Sequence, residues 1–329
     1  MVGIGNAMLR EGEALIHVED LVVEFPGPRG AVLHAVSDVS FDVRAGETLG
    51  IVGESGCGKS TTAKAVIQMP RPTSGQVLYR DSDLTKLDKD ALRATRTDLQ
   101  MIFQDPISAL NPRRSIWDII REGVEIWGTH GEWGDARILE LIESVGIDPQ
   151  YKDRKPFQFS GGQCQRISIA RALALDPHVL ICDEPVSALD VSVQAQILNL
   201  LDDLKKQHDL TMLFISHDLA VVRNVSDRVM VMYLGRVAEV GDADSIFDNP
   251  AHPYTQALLA AVPGSDIAAD ASLSGELPSP LDPPAGCRFN TRCPHASDIC
   301  RTTVPEFEQF GPDHWVACHH PQATPVELD

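Results

Sequence analysis

The run Gly53-Glu-Ser-Gly-Cys-Gly58-Lys59-Ser60 sets glycines, a lysine and a hydroxyl in a fixed order. Glycines let backbone N–H groups turn inward around an anion, and G-x-x-x-x-G-K-[ST] is the spacing that cradles phosphates. Lys59 is placed to neutralise β- and γ-phosphates, and Ser60 offers its hydroxyl to Mg²⁺. Gly53, Ser55, Gly56, Gly58 and Thr61 complete the candidate nucleotide-binding set. A chance glycine turn is the alternative. An apolar strand before the loop (Thr48 to Val52) and a helical stretch after it (Lys59 to Gln68) argue against chance.

Two further groups suit the same chemistry. Leu180-Ile-Cys-Asp183-Glu184 is an apolar strand ending in two carboxylates. Asp183 can hold Mg²⁺, directly or through water, and Glu184 can polarise an attacking water. A solvated acidic strand end is the plain alternative. Phe159-Ser160-Gly161-Gly162-Gln163 opens a helical stretch. It is at least a helix start capped by serine. It is also a set of anion-binding groups: a hydroxyl, glycine amides and the positive end of a helix. One chain already supplies a phosphate loop, so a second γ-phosphate site makes sense where it completes the nucleotide site of a neighbouring chain.

The elements that must position these groups follow from pattern. Strand signals run over Ile16 to Phe25, Val39 to Val43, Val179 to Cys182, Thr211 to Ser216 and Val229 to Tyr233. Val191 to Gln207 is an amphipathic helix. From about residue 105 to 175 apolar residues recur at helical spacing (Ile116, Ile119, Ile120, Val124; Ile138, Leu141, Ile142, Val145), which predicts a helical insert. Strands alternating with helices predict an α/β fold with a mostly parallel sheet. A proline- and serine-rich stretch over 264–286 is a linker by composition.

The chain has 329 residues, 47 acidic against 28 basic, for a net charge of −19. Such acidity disfavours nucleic acid as a partner, because phosphate backbones select lysine and arginine. No apolar run approaches a membrane span, and the opening residues lack the pattern of a secretory signal. The cysteines are unevenly spread: Cys57, Cys164 and Cys182 stand apart, whereas Cys287, Cys293, Cys300 and Cys318 fall in the last 43 residues. Their spacing is C-x5-C-x6-C-x17-C. Four thiolates bind zinc or an iron–sulfur cluster. Structural zinc sites favour tighter pairs, so the wide spacing favours [4Fe–4S], with Zn²⁺ or unliganded thiols as alternatives. The other three cysteines are expected as non-ligands, with Cys182 in the core.

In order along the chain come the phosphate loop, Gln104, Ser160-Gly-Gly-Gln163, Asp183-Glu184, Ser187-Ala-Leu-Asp190 and Ser216-His217-Asp218. Over residues 15 to 263 this resembles the nucleotide-binding subunit of an ATP-binding cassette transporter. The resemblance implies a P-loop NTPase cassette over 1–263 with an antiparallel β part at the N-terminus. It implies that Gln104 senses Mg²⁺ and nucleotide state, that Asp190 lies in the loop between opposed subunits and that His217 contacts the γ-phosphate. Phe25 falls where the family places an aromatic against adenine; packing is the alternative. Gln104-Asp-Pro-Ile-Ser-Ala-Leu-Asn-Pro-Arg113, Asn249-Pro-Ala-His-Pro-Tyr-Thr-Gln-Ala-Leu-Leu and the cysteine-rich extension over 287–329 resemble the oligopeptide, dipeptide and nickel importer branch, and more the second of its two paired ATPases. That branch is reported to carry a [4Fe–4S] cluster. The resemblance implies ATP hydrolysis that powers peptide import from the cytoplasmic face of the membrane. The implied partners are a paralogous ATPase, two permease subunits and an external solute-binding protein. Nickel, glutathione or a sugar are the alternative cargoes, and a soluble non-transport ATPase the alternative function.

Overall fold

The computed structural model describes residues 9–10, 12–128, 130–262 and 275–323. Residues 264–274 of the expected linker lie outside the described residues. The chain forms two compact units, one from the segments before residue 88 and after 214, the other from residues 88 to 214.

The first unit begins with the expected antiparallel part. Strand β1 (Ile16–Pro26) pairs antiparallel with β2 (Val32–Val43) on one side and with β4 (Ser74–Tyr79) on the other, and β4 carries the short β5 (Ser82–Asp83). Inward residues of β1 are buried at alternate positions, Ile16 and Val18 before a register shift and Leu21 and Val23 after it, the pattern of a sheet with one covered face. Strand β3 (Thr48–Val52) is buried at every residue and runs parallel to β9 (Arg228–Tyr233). It delivers the chain to Gly53, where helix α1 (Lys59–Val66) takes over after the loop.

Beyond β9 the pairing turns antiparallel. Strand β10 (Arg236–Asp242) follows β9 after only Leu234 and Gly235, both with positive φ (44° and 80°). A two-residue turn of that shape is the one that twists with a hairpin, so β10 must return alongside β9. The strands β11 (Phe307–Gly311) and β12 (His314–Ala317) then add as a second hairpin, β12 pairing with β10. The cysteine-rich extension therefore shares the sheet of the first unit, which makes that sheet mixed. Helices α7 (Leu219–Val225), α8 (Ala243–Asp248), α9 (Pro253–Ala260) and α10 (Asp298–Thr302) complete this unit.

In the second unit β6 (Leu99–Ile102) runs parallel to β7 (Val179–Asp183), and β8 (Thr211–Ile215) lies on the other side of β7. Helix α2 (Lys89–Thr95) precedes β6. The helical insert comprises α3 (Ile116–Trp127), α4 (His130–Ser144), broken at Gly134, and α5 (Gly161–Leu173). The residues picked out by helical spacing, Ile116, Ile119, Ile120, Val124, Ile138, Leu141, Ile142 and Val145, are all buried. Helix α6 (Val191–His208) follows β7.

Helix α9 depends on a neutral histidine. His252 is its N-cap, and the ring Nδ1 accepts from the Tyr254 N–H at 3.0 Å. Burial holds the imidazole's pKa down to about 4, against a smaller opposing pull from Glu239. The unfolded chain titrates near its ordinary value, so between about pH 6.5 and 4 it binds the proton that the folded chain refuses. Stability should therefore fall as pH drops through this window, at up to about 1.4 kcal/mol per pH unit from this one residue. Urea titrations of wild type and His252→Gln check it: the variant should lose the part of the acid slope that His252 contributes.

Candidate nucleotide site

In the first unit the loop after β3 is fixed on every side. Gly53, Gly56 and Gly58 adopt φ of 146°, 79° and 106°. A Cβ on Gly53 would lie 2.2 Å from the Met232 carbonyl oxygen, and one on Gly58 would lie 2.4 Å from that of Ala35. Both positions thus require glycine for conformation and for space. The Cys57 carbonyl accepts from the Gly235 N–H at 2.7 Å, so the strained β9–β10 turn buttresses the loop.

Lys59, 5% exposed, donates from Nζ to the carbonyls of Gly53 (2.7 Å) and Glu54 (3.0 Å). The ammonium is thereby held inside the ring of the loop, at the position from which a cation meets phosphate oxygens. Ser55 and Gly56 are exposed at the loop tip; Ser60 and Thr61, half-buried, begin α1. No side chain caps α1, which leaves its N-terminal end to an anion. The loop therefore has the shape and charge for a nucleotide's phosphates.

Sequence reading missed what holds Glu54. The Tyr254 hydroxyl, from α9, accepts from the Glu54 N–H at 2.9 Å. Burial raises the phenol's pKa, so it stays neutral. Arg292 of the cysteine-rich extension grips the Glu54 carboxylate through both terminal nitrogens, at 2.6 and 3.2 Å. That ion pair raises the guanidinium's pKa further. Arg288 donates to the Leu234 carbonyl and to Ser37 Oγ. The only hint in the sequence was that each of these arginines adjoins a cysteine, Arg288 after Cys287 and Arg292 before Cys293. Their partners lie some fifty to 250 residues away along the chain.

His217 is exposed, following the buried Ser216 whose Oγ accepts from the Asp218 N–H at 3.0 Å. Asp218 caps α7. Phe25, 37% exposed, sits at the end of β1 opposite Leu33.

In the second unit the structure brings two predicted residues together. Gln104 Nε2 donates to Glu184 Oε2 at 2.9 Å. Asp183 is buried at the end of β7, and Glu184 takes a positive φ of 47°. A non-glycine residue in that conformation is strained, and here the strain turns the second carboxylate away from the strand. The Ser187 N–H and hydroxyl close the turn on the Glu184 carbonyl at 3.3 and 3.1 Å. Asp190 is exposed at the start of α6, beside Val191 at 82% exposure. Ser160 caps α5 in a reciprocal pair: its Oγ accepts from the Gln163 N–H (3.3 Å), and Gln163 Oε1 accepts from the Ser160 N–H (3.0 Å). Both are exposed, with Gly161 and Gly162 half-buried beside them. Arg171, on the same helix, donates to the Ala109 carbonyl at 2.5 Å and so fastens the segment after Gln104 to α5.

The four late cysteines converge in the first unit. Burial raises the thiols of Cys287, Cys293 and Cys318, to about 11 for Cys287 and about 12 for Cys318, and neighbouring cysteines add to each. Cys318 feels all three others. Among the described residues no group of three or more histidine, cysteine or acidic side chains is arranged to hold one metal ion. Cys57, Cys164 and Cys182 are buried, Cys182 within β7, in the core as expected.

A family model for the ABC transporter matches residues 36–187, and one for the oligopeptide/dipeptide transporter C-terminal region matches residues 238–300. The oligopeptide transport ATP-binding protein AppF of Bacillus subtilis is 48% identical over 323 residues, covering 93% of this chain and 97% of that protein. OppF of Salmonella typhimurium is 47% identical over 318 residues, covering 92% and 95%. The chain belongs to the ABC transporter ATPases, in the oligopeptide/dipeptide branch. Among solved structures, the dimeric ATP-binding cassette MJ0796 bound to ADP and Pi is similar, with a TM-score of 0.63 and 27% identity. The match covers 69% of this chain and 98% of that one. CbiO1 from Clostridium perfringens, part of the CbiONQ transporter complex, gives a TM-score of 0.62 at 27% identity, covering 72% and 92%. As an ABC ATPase the chain binds and hydrolyses ATP.

Two substitutions separate binding from turnover. Glu184→Gln keeps the side chain's shape but removes its charge, so ATP should still bind while hydrolysis falls by about a hundredfold or more. Lys59→Ala should instead weaken nucleotide binding itself. Equilibrium ATP binding and single-turnover hydrolysis on the same preparations distinguish them.

Proposed function

We propose that this chain is an ATPase subunit that powers import of peptides through a membrane transporter. The observation that carries the proposal is the length of the likeness. Relatives named as oligopeptide transport ATP-binding proteins cover more than nine-tenths of this chain, and the transporter C-terminal family model reaches into the cysteine-rich extension, to residue 300. No described helix is long and apolar enough to cross a membrane, so the path for cargo belongs to separate permease chains. An external solute-binding protein would deliver the cargo, and the chain would work at the cytoplasmic face.

Each residue takes its role from its chemistry. Lys59 and the amides from Gly53 to Thr61 hold the phosphates. Ser60, Asp183 and Gln104 are the oxygen donors suited to Mg²⁺, which when bound neutralises phosphate charge. Glu184 accepts the proton of the attacking water, and His217 contacts the γ-phosphate. The Gln104 amide orients the Glu184 carboxylate, so a change at Gln104 reaches the base directly. Phe25 stacks on the adenine.

Ser160, Gly161, Gly162 and Gln163 serve the nucleotide of a second ATPase subunit, with Asp190 facing that subunit. The exposure of Ser160, Gln163 and Asp190 supports this. A paralogue is the fitting partner, because the chain resembles one member of a pair. The permease loops dock on the helical insert, where Ile107 and Phe157 stand 61% and 72% exposed. Isolation of the intact complex and mass identification of its chains tests the assembly. Ser160→Arg should spare ATP binding by the isolated chain and abolish turnover at the partner's site; loss of binding by the isolated chain would overturn the paired arrangement.

The four cysteines are proposed to hold a [4Fe–4S] cluster. What supports the donor set is the electrostatic coupling of the four thiols, which puts them in one region. Thiols raised this far stay protonated until a metal repays the loss of their protons, so the site should depend on metal for its order. The role is structural. Anaerobically purified protein should be brown and hold about four irons per chain. Stoichiometric zinc without iron would refute the cluster.

A further inference from the structure

Glu54 is held at three points, and each acts on the same loop. Its N–H donates to the Tyr254 hydroxyl, its carboxylate takes Arg292, and its carbonyl accepts from Lys59 Nζ. Two of those three holds trace back to the segment between the first two late cysteines. Phe289, 2% exposed, packs edge-on to Tyr233 (ring centroids 5.2 Å apart) and lies 5.3 Å from Tyr254. Arg292 reaches Glu54 directly. Its side chain is 5% exposed, and it also donates to the Tyr233 hydroxyl at 3.4 Å. The N–H groups of Arg292 and Cys293 both donate to the Phe289 carbonyl at 3.0 Å, so one tight turn sets the two arms together.

A bidentate arginine on a carboxylate fixes direction as well as distance. Glu54 lies directly after Gly53, the residue whose carbonyl is the other acceptor of Lys59. Moving the Glu54 side chain therefore moves the backbone that aims the ammonium. We infer that Arg292 is a positioning residue for the phosphate loop, acting through Glu54, so that the cysteine-rich extension sets the affinity for nucleotide. Arg292 does not touch nucleotide. It holds the loop in its binding shape in advance, and without it part of the binding energy goes into ordering the loop. The inference rests on the loop's role as the nucleotide cradle.

The test uses the full-length chain, with Mg·ATP affinity measured by calorimetry for wild type, Arg292→Met, Arg292→Lys, Glu54→Gln, the double variant Arg292→Met with Glu54→Gln, and Lys59→Ala. Arg292→Met should weaken binding about tenfold, and Arg292→Lys should recover part of the loss. The double variant should bind no worse than Arg292→Met alone, because the two residues act in series. Iron content and melting temperature should stay near wild type. Unchanged affinity in Arg292→Met, or losses that add in the double variant, would overturn the inference. So would affinity loss that only tracks loss of iron or of folded protein. If Arg292→Met does not fold, Glu54→Gln and Arg292→Lys decide: unchanged affinity in both overturns it. Normal binding by Lys59→Ala would instead overturn the role of the loop.

Discussion

A buried ammonium must be surrounded by acceptors, and in this protein that requirement organises the first unit. Lys59 is almost wholly enclosed, and its acceptors are two consecutive carbonyls of its own loop. Those carbonyls face inward only because the glycines around them take conformations closed to other residues. The loop keeps that shape because other segments are fastened to it: the β9–β10 turn at Cys57, Tyr254 at the Glu54 amide, and Arg292 at the Glu54 carboxylate. The cost of enclosing the charge is thus met by backbone dipoles that are themselves immobilised. A phosphate arriving there meets a cation already aimed.

The second unit solves a different problem, that of presenting a carboxylate. Strand β7 is buried throughout, so its end is the first place where acidic groups can be exposed to a reactant. Asp183 remains buried, while the strained backbone at Glu184 turns the next side chain to Gln104. The strain is sustained by the turn that follows, closed by Ser187, and by Gln194, whose amide donates to the carbonyls of Val186 and Leu189. The exposed cap at Ser160 offers anion-binding groups outward.

Much of this was legible in the sequence where the signal was local. The phosphate loop, the strand ending in Asp183-Glu184, the Ser160 cap and the buried stripes of α3 and α4 each sit within a few residues, and the structure places them in the elements read for them. What escaped was non-local. Tyr254, between Pro253 and Thr255, carries no local sign of its role, and its hydroxyl finds Glu54 200 residues away. Arg292 looks like part of a cysteine motif until Glu54 lies against it, 238 residues back. The β9–β10 hairpin was hidden because its turn uses Leu234 where turn chemistry favours asparagine or glycine. The hairpin of β11 and β12, short and flanked by prolines, gave no period long enough to read, yet it joins the extension to the sheet. Proximity created by folding, rather than residue type, made these groups functional.

In the proposed arrangement this chain hydrolyses ATP as half of a pair, each half completing the other's site. The most direct measurement is the steady-state ATPase rate per chain on dilution, with the paralogous ATPase present and absent, while mass photometry follows the fraction of paired chains. With a shared site, the rate per chain should fall in step with that fraction. A rate per chain that stays constant down to dilutions where only single chains remain would contradict it.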